Sequence, residues 1–230
     1  MRFVYCHPLF DERKCAHRFS YCLKCAFEQE GLTLERFDYR GTGEAVGEFA
    51  DVSMDSIRED LSERVESDRV CLIGLRFGAT IAYEYADLLS AIVHKLVLIE
   101  PIINGSDYVD YLKRKQHIKD MMTGIGTEKT LNKDFENIEG YKTNLMLVEQ
   151  IKRINMISLS QLHEVKASIH ILCVNNRKAD ISEVELFASS LKSPANQISI
   201  DEIVMPPFWE RVPCSDYSEL TEKILGYCRE

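Results

Sequence analysis

The sequence predicts an α/β fold, in which helices cover both faces of a mostly parallel central sheet and a short helical cap is inserted. Apolar strand-like segments alternate with helix-like segments, the order that produces parallel strands joined by helices. One strand contains the run VCLI, a pattern typical of strands buried on both faces of a parallel sheet. A chain of 230 residues, 45% of them hydrophobic, is long and apolar enough for one sizeable core.

The first half of the chain supplies three strands and three helices. The strands are expected at residues 2–6, 32–37 and 69–73, and the helices at 15–31, 53–65 and 79–89. Gly31 marks the end of the first helix, because glycine is common just beyond a helix C-terminus. Gly41 and Gly43 indicate a tight loop after the second strand.

The second half continues the alternation after an interruption. Strands are expected at residues 96–99, 169–174 and 197–204, and helices at 182–191 and 217–228. Residues 104–157 look helical and polar, with no clear strand, and we interpret them as an inserted cap. The whole chain, residues 1–230, is therefore expected to form one domain.

The charge balance narrows the class of partner. A net charge of −9 and a pI near 5.3 would repel a phosphate backbone, so we expect no nucleic acid partner. No apolar stretch approaches the roughly 18 residues of a membrane span, and His7 and Pro8 interrupt the N-terminal apolar run too early for a signal sequence. A cytoplasmic protein without membrane insertion is expected, and any anionic ligand must meet a local basic pocket.

Eight cysteines are expected to be reduced thiols, since the cytosol keeps them so. Cys22 and Cys25 have the spacing of metal ligands, with Cys15 and His17 nearby. The pair lies in a helix-like segment without a second CxxC, which favours simple packing over a zinc site. We expect neither a metal nor a cofactor.

The sequence Gly74-Leu75-Arg76-Phe77-Gly78 has the form of a nucleophile elbow. In that motif two glycines allow a sharp turn that lifts the central side chain above the sheet. The preceding strand and the following ATIAYEYA helix supply the required context. The central residue, however, is Arg76 and not a serine.

The chain resembles the α/β-hydrolase family over nearly its whole length, and more narrowly the small hydrolase-like proteins associated with exosortase systems. The resemblance rests on residues 7–12 (HPLFDE) at the oxyanion-loop position, 37–44 (FDYRGTGE), 47–49 (GEF), 74–79 (GLRFGA), 96–101 (LVLIEP) and 206–209 (PPFW). It implies the α/β-hydrolase fold. The narrower group also tends to carry Gly-Leu-Arg at the elbow, which implies that Arg76 is a family trait. The group's name implies a fold and no particular activity.

The remaining triad members can be sought by their order in this fold, which is nucleophile, acid and then a late histidine. The histidines are His7, His17, His94, His117, His163 and His170, and none follows the strand at 169–174. Asp180 and Glu100 stand where an acid is plausible, but they have no histidine to orient. Without its triad such a site retains only roughly 10³- to 10⁴-fold acceleration over water. A catalytically degenerate hydrolase fold, or pseudoenzyme, is therefore expected.

Arg76 stands at a helix N-terminus, where unpaired N–H groups already favour negative charge. One hypothesis is that Arg76, the amides of Phe77 and Leu9, and Arg40 bind a carboxylate or phosphate. Its ligand would be a small anionic molecule or a peptide end. In the other interpretation, Glu100 or Asp180 neutralises Arg76 internally, because a buried arginine must be paired. The two interpretations are compatible if a ligand competes with the internal carboxylate for the guanidinium of Arg76.

Three functions remain open. The first is a non-hydrolytic binding or accessory protein with an anion-attracting pocket at Arg76. The second is an enzyme of non-serine chemistry, a hydrolase, acyl-transfer catalyst or epimerase acting on an ester, peptide or acyl substrate, for which His7 and Cys15 are the candidate catalytic residues. The third follows only from the resemblance, which implies a protein partner in a surface-polysaccharide or protein-sorting system.

The cap carries an aromatic and basic stretch that has two interpretations. Its members are Tyr108, Tyr111, Lys113, Arg114 and Lys115. Folded over the sheet, this stretch could close the pocket as a lid does. A solvated helix face explains the same spacing equally well.

Overall fold

The computed structural model describes residues 1–65, 69–88, 92–124, 130–132, 134–162, 165–175, 181–191, 198–211 and 216–229. The strands are β1 (Arg2–Cys6), β2 (Leu34–Arg36), β3 (Val70–Leu75), β4 (Val93–Ile99), β5 (Thr130–Asn132), β6 (Phe135–Ile138), β7 (Tyr141–Asn144), β8 (Ser168–Asn175) and β9 (Ile198–Val204). The helices are α1 (Phe10–Gln29), α2 (Met54–Arg64), α3 (Phe77–Leu88), α4 (Gly105–Thr123), α5 (Leu145–Lys152), α6 (Met156–Leu162), α7 (Ser182–Ser190) and α8 (Ser218–Arg229), with a 3₁₀ turn at Phe49–Asp51.

The chain divides into two compact units. The first comprises Met1–Phe37, Val65–Ile103 and Met156–Glu230, and it contains the large sheet. The second comprises Asp38–Arg64 and Asn104–Asn155. It thus contains nearly all of the expected cap together with the segment between β2 and β3.

The first unit is built on a six-stranded sheet in the order β2-β1-β3-β4-β8-β9, in which every neighbouring pair is parallel. This confirms the predicted parallel sheet with helices flanking it. The chain runs outward from β1 to β2 and returns to form β3 on the other side of β1. Since all six strands point the same way, the loops after β1, β3, β4, β8 and β9 emerge at one edge, called here the carboxyl edge. Ligands of open α/β sheets bind at such edges.

An aromatic core lies where α1 and α8 cover one face of this sheet. Phe19 of α1 is fully buried, with its ring centroid 4.7 Å from that of Phe208 and 5.4 Å from that of Tyr217. Tilted and edge-to-face arrangements of this kind suit the ring quadrupoles. Burial of each large side chain contributes about 1.5–3 kcal/mol, so this face anchors both helices to the strands.

Most element boundaries agree with the sequence prediction within a few residues, but α1 begins at Phe10 and not at residue 15. Leu9 precedes the helix in an extended conformation and makes no side-chain capping bond. A capping side chain is therefore missing at this helix start, and only the acidic residues Asp11 and Glu12 of the first turn indicate the early beginning. The correction matters because it places Glu12 in the first turn of α1.

The prediction that residues 104–157 contain no strand is wrong. Strands β5, β6 and β7 form a three-stranded antiparallel sheet. Glu139 and Gly140 form the two-residue turn between β6 and β7, with φ of 53° and 93°. Two positive φ values are typical of the hairpin turn that Asn-Gly or Asp-Gly usually signals, and Glu-Gly is a weaker signal of the same turn.

The basic stretch of the cap segment is largely paired within the second unit. Lys113 and Lys115 lie 2.9 and 2.6 Å from carboxylate oxygens of Glu136 and Glu139. Tyr108 is buried. Two of the three basic side chains in this stretch, Lys113 and Lys115, are thus neutralised by the β6–β7 hairpin. The lid hypothesis remains a prediction.

Candidate functional site

The turn after β3 has the geometry of an elbow. Arg76 has a φ of 54°, in the left-handed region that costs a non-glycine residue energy. Its N–H donates to the carbonyl of Ile99 at 2.9 Å, and its own carbonyl accepts from the N–H of Ala79 at 2.9 Å. These bonds join the turn to β4 on one side and to α3 on the other, so the surrounding backbone holds the strained residue in place.

Both glycines of the motif are required by close backbone contacts. A β-carbon at Gly74 would lie 2.4 Å from the Cα of Ala79. One at Gly78 would lie 2.2 Å from the carbonyl oxygen of Cys6 and 2.5 Å from that of His7. The neighbouring atoms belong to the backbone and cannot move aside, which explains the spacing Gly-x-Arg-x-Gly. The loop after β1 therefore packs directly against the start of α3.

The side chain of Arg76 is held by a carboxylate and an indole. Its Nε donates to Oε1 of Glu12 at 3.2 Å, and the two side chains are 14% and 0% exposed. Its guanidinium carbon lies 5.2 Å from the ring centroid of Trp209, within the range of a cation–π interaction. The positive charge at the elbow is thus balanced inside the first unit.

Glu12 is the residue that the sequence analysis missed. Internal neutralisation of Arg76 was predicted, but with Glu100 or Asp180 as the partner. Glu12 reaches Arg76 because β1 and β3 are neighbours, so the helix that follows β1 begins beside the elbow. Asp180 lies outside the described residues. The available signal was an acidic residue shortly after the first strand, at the start of the next helix.

Glu100 lies at the end of β4 and has a different role from the predicted ion pair. Its N–H donates to the carbonyl of Leu172 at 2.8 Å, and its Oε2 accepts from the N–H of Val174 at 2.7 Å. The carboxylate thus continues the ladder to β8 where the backbone of β4 turns away with a φ of 45°. Burial raises the pKa of Glu100, while the bond from Val174 and the charge of Arg76 partly offset the effect.

Leu9 and Phe77, whose amides were predicted to bind the anion, both lie at the carboxyl edge. Leu9 is buried and precedes the first residue of α1, and Phe77 is buried at the first position of α3. Two helices therefore begin at this edge, and their N-termini favour negative charge.

Arg40 belongs to the second unit and is engaged there. Its Nε lies 2.5 Å from Oδ1 of Asp60, its Nη2 lies 2.7 Å from Oε2 of Glu59, and its N–H donates to Asp60 Oδ2 at 2.7 Å. These two carboxylates of α2 satisfy much of the guanidinium. Its role in ligand binding stays a prediction, and the contacts support a structural one.

The candidate catalytic residues lie in unlike surroundings. His7 is buried, with its ring edge-to-face to Tyr5 at 4.8 Å between centroids. Cys15 is half-buried on α1. At the carboxyl edge, Cys173 is a further thiol, but burial raises its pKa to about 12 and keeps it protonated at neutral pH. A catalytic role of His7 or Cys15 stays a prediction.

The loop in which this fold carries its histidine contains aromatic side chains instead. Phe208 and Trp209 follow β9 and are buried. His170 is the last histidine of the chain. It lies within β8, where its Nδ1 is 2.8 Å from Oγ of Ser199 and its ring stacks on Tyr227 at 4.2 Å. It therefore supports the strand and does not stand at the elbow.

The described residues offer neither a metal site nor a membrane-spanning helix. Among the described residues, no group of three or more histidine, cysteine or acidic side chains could hold a metal ion. Within the same part of the chain, every helix is too short or too polar to cross a bilayer. The seven cysteines in the described segments are free thiols.

Comparison with known proteins identifies the fold. No family model and no curated sequence matches the chain. Solved structures do match. An esterase of Pyrococcus furiosus has a TM-score of 0.67 at 16% identity, covering 99% of this chain and 81% of the other. Est1E of Butyrivibrio proteoclasticus with bound ferulic acid has 0.63 at 13%, covering 99% and 89%. The enol-lactonase of Burkholderia xenovorans has 0.62 at 11%, covering 99% and 91%.

The chain therefore has the α/β-hydrolase fold, with a mostly parallel central sheet flanked by helices. Identities of 11–16% establish the fold and leave activity to the residues of the site. Those residues differ from a serine hydrolase at the nucleophile and at the late histidine.

Proposed function

We propose that this protein is a non-hydrolytic α/β-hydrolase-fold protein that binds a carboxylate or phosphate group of a small molecule or peptide at Arg76. The observation that carries the proposal is a guanidinium at the apex of an intact elbow. Its strained φ of 54° and the two tight glycine contacts preserve the position at which this fold presents its reactive side chain. Such strain persists where the surrounding structure enforces it, often at functional sites.

Several features argue against serine-type hydrolysis. Arginine has no nucleophilic oxygen and stays protonated in proteins. No histidine follows His170 in the sequence, so a base from the usual late loop is missing. The aromatic residues Phe208 and Trp209 fill the corresponding place in the chain. The fold is thus retained without the groups that would generate an alkoxide.

Several features favour an anion. Arg76 sits where α3 begins, and the helix dipole adds positive potential there. Glu12 grips the guanidinium through Nε, and Trp209 lies against it, so its orientation is fixed before a ligand arrives. A ligand oxyanion would share the guanidinium with Glu12, whose bond to Nε keeps the group oriented. Preorganisation of this kind lowers the entropic cost of binding.

The test is thermal unfolding of wild type and Arg76→Ser against inorganic phosphate, small carboxylates and aryl esters, with ester hydrolysis read in parallel. A bound anion at 100 times its Kd stabilises the folded state by about 2.7 kcal/mol, so the melting temperature of wild type should rise. Arg76→Ser should show no rise, and neither protein should hydrolyse the ester.

Matched variants separate binding from folding. Arg76→Lys keeps the charge but loses the two-pronged geometry, and it should bind a carboxylate more weakly than wild type. The pair Glu12→Gln with Arg76→Met removes both charges together and should fold while binding no anion. Ester turnover by wild type, or equal anion response in this double variant, would show the proposal to be wrong.

Glu100 supports a second candidate, an enzyme of non-serine chemistry such as an acyl-transfer catalyst or epimerase. Burial raises the pKa of its carboxyl beside Arg76, and a raised pKa is a change found in carboxyl groups that act as general acids or bases. The enzyme hypothesis would be favoured if turnover depended on a single ionisation. That ionisation should disappear in Glu100→Gln, while Arg76→Lys should retain turnover. Its hydrogen bond to Val174 gives a structural reason for the same carboxylate.

We also propose that the protein works in the cytoplasm. The resemblance implies a protein partner in a surface-polysaccharide or protein-sorting system. The seven free thiols of the described segments accord with a reducing compartment. Co-purification of the tagged protein from its own cells, compared with Arg76→Ser, tests whether such a partner binds through the elbow.

A further inference from the structure

A groove of about 350 Å³ lies between α1 and the start of α8, wholly within the first unit. Its size falls in the range of small-molecule sites, roughly 300–1,000 Å³. Arg18, Cys22 and Cys25 line it from α1, and Asp216 and Tyr217 line it from the other side. Neither the elbow nor the proposed anion site uses these residues.

The two thiols share one stripe of α1. Arg18, Cys22 and Cys25 are four and three residues apart, a spacing that places side chains above one another on a helix. Both cysteines are half-buried, in contrast to the buried Cys6, Cys71 and Cys173. Two thiols therefore reach a groove that a small molecule can enter.

The thiols are not equivalent. Tyr21 is an exposed tyrosine of the same helix, and its interaction with Cys25 is the main cause that raises its pKa. Cys22 follows Arg18 by four residues, about one helical turn, whereas Cys25 follows it by seven, about two turns. Cys22 is thus the thiol better placed to react with an anionic molecule.

The charges on the two walls select the reagent. Arg18 offers a guanidinium, and Asp216 offers a carboxylate that also accepts the N–H of Ser218 at 2.9 Å. A compound that carries both carboxylate and ammonium groups complements both walls. Disulfides of amino-acid or peptide thiols combine these charges with a sulfur that a cysteine can attack.

We propose that Cys22 is a thiol–disulfide exchange site for zwitterionic disulfides of amino-acid or peptide thiols, of which glutathione disulfide is the representative probe. The inference is independent of the proposed function at Arg76. The thiolate of Cys22 attacks one sulfur of the disulfide, and the sulfur–sulfur bond breaks. One half stays on Cys22 as a mixed disulfide, and the other leaves as a thiolate that takes up the proton lost by Cys22. Neither a further oxidant nor a reductant is needed.

The mixed disulfide should accumulate and not resolve to a Cys22–Cys25 bond. Residues three apart on a helix have β-carbons about 5–6 Å apart, whereas a disulfide requires about 3.5–4.5 Å. Closing the bond would distort α1, which Phe19 and Leu23 anchor in the core. The expected product is one adduct per chain.

The experiment treats the folded full chain with glutathione disulfide and maps the adducts by mass spectrometry of peptides. The adduct should form on Cys22, be lost in Cys22→Ser and persist in Cys25→Ser. The matched control is Cys15→Ser, since Cys15 is a half-buried cysteine of the same helix that does not line the groove. Melting temperatures of all three variants verify that each is folded.

Charge recognition is tested by rates. Arg18→Gln should slow modification by glutathione disulfide about two- to fivefold, the range of an exposed ion pair. It should leave the rate with uncharged hydroxyethyl disulfide unchanged. Adducts mainly on Cys25 or Cys15, an internal Cys22–Cys25 disulfide, or equal slowing with both reagents would each overturn the proposal.

Discussion

At the scale of the residue, the central feature is an ion pair at the apex of the elbow. The side chains of Arg76 and Glu12 are withdrawn from water, with 14% and 0% exposure. Charges so placed lose hydration, and only their mutual attraction and their other contacts compensate for that loss. Either partner left alone is therefore more costly than both removed together.

A double-mutant cycle on this pair tests that argument. Arg76→Met leaves a buried carboxylate, and Glu12→Gln leaves a guanidinium with a weaker partner. Each single change should lower the free energy of unfolding, by up to about 3–5 kcal/mol for Arg76→Met. The double variant should lie nearer to wild type than the sum of the singles. Urea denaturation measures all four proteins, and additive effects would show that the two residues are not coupled.

Glu100 gives a prediction about pH. Its pKa is raised in the folded state above the ordinary value of 4.5. Between these two pKa values the folded protein binds more protons at this site than the unfolded chain, so this site's contribution to stability falls as pH rises. Glu100→Gln keeps an oxygen that can accept the Val174 N–H but carries no charge. Its stability relative to wild type should increase with pH through this window, and a constant difference would refute the idea.

At the scale of the element, the elbow depends on two backbones that nearly touch. The loop after β1 and the start of α3 approach so closely that Gly78 has no room for a side chain. This contact joins α3 to the loop after β1. It also positions Arg76, the residue that precedes α3. Gly226 in helix α8 has room for a side chain, because a β-carbon there would meet nothing within 4 Å.

These two glycines form a matched pair for mutation. Gly78→Ala should destabilise the fold by more than about 3 kcal/mol, because the clash is with main-chain atoms. Gly226→Ala should stabilise it by about 0.5–1 kcal/mol, since alanine is the better helix former. Thermal and urea unfolding report both changes. A mild effect at Gly78, similar to that at Gly226, would contradict the close approach.

At the scale of the whole molecule, the large sheet sets the order of local stability. β3 and β4 are paired on both sides, whereas β2 and β9 lie at the edges of the sheet. Every residue of β3 is buried, and most residues of β9 are partly or fully exposed. Openings that expose an edge strand disrupt fewer buried contacts than those that expose a central one.

Hydrogen exchange should reproduce this order. Amides of β3 and β4 are expected to exchange only by global unfolding, and those of β9 by smaller openings at lower free energy. Mass spectrometry of peptic peptides across a denaturant series resolves the two classes. If the β9 amides prove as protected as those of β3, another chain or segment must cover that edge.

The sequence by itself determined most of the elements and the position of the elbow, because these depend on local order along the chain. The alternation of apolar segments, the VCLI strand and the spacing of Gly74 and Gly78 are all read within a few residues. Two local features could not be predicted from the sequence. The start of α1 has no capping residue, and the β6–β7 turn has Glu139 where Asn or Asp is the usual signal.

Only the tertiary structure decided what surrounds Arg76. Glu12 lies 64 residues earlier and Trp209 far later in the chain, yet both contact the guanidinium. Their proximity arises because β1 and β3 are neighbours and the parallel strands open at one edge. An ion pair is set by distance in space, which sequence spacing does not encode across separate elements. The residue at the elbow could therefore be read from the chain, while its partner required the packed sheet.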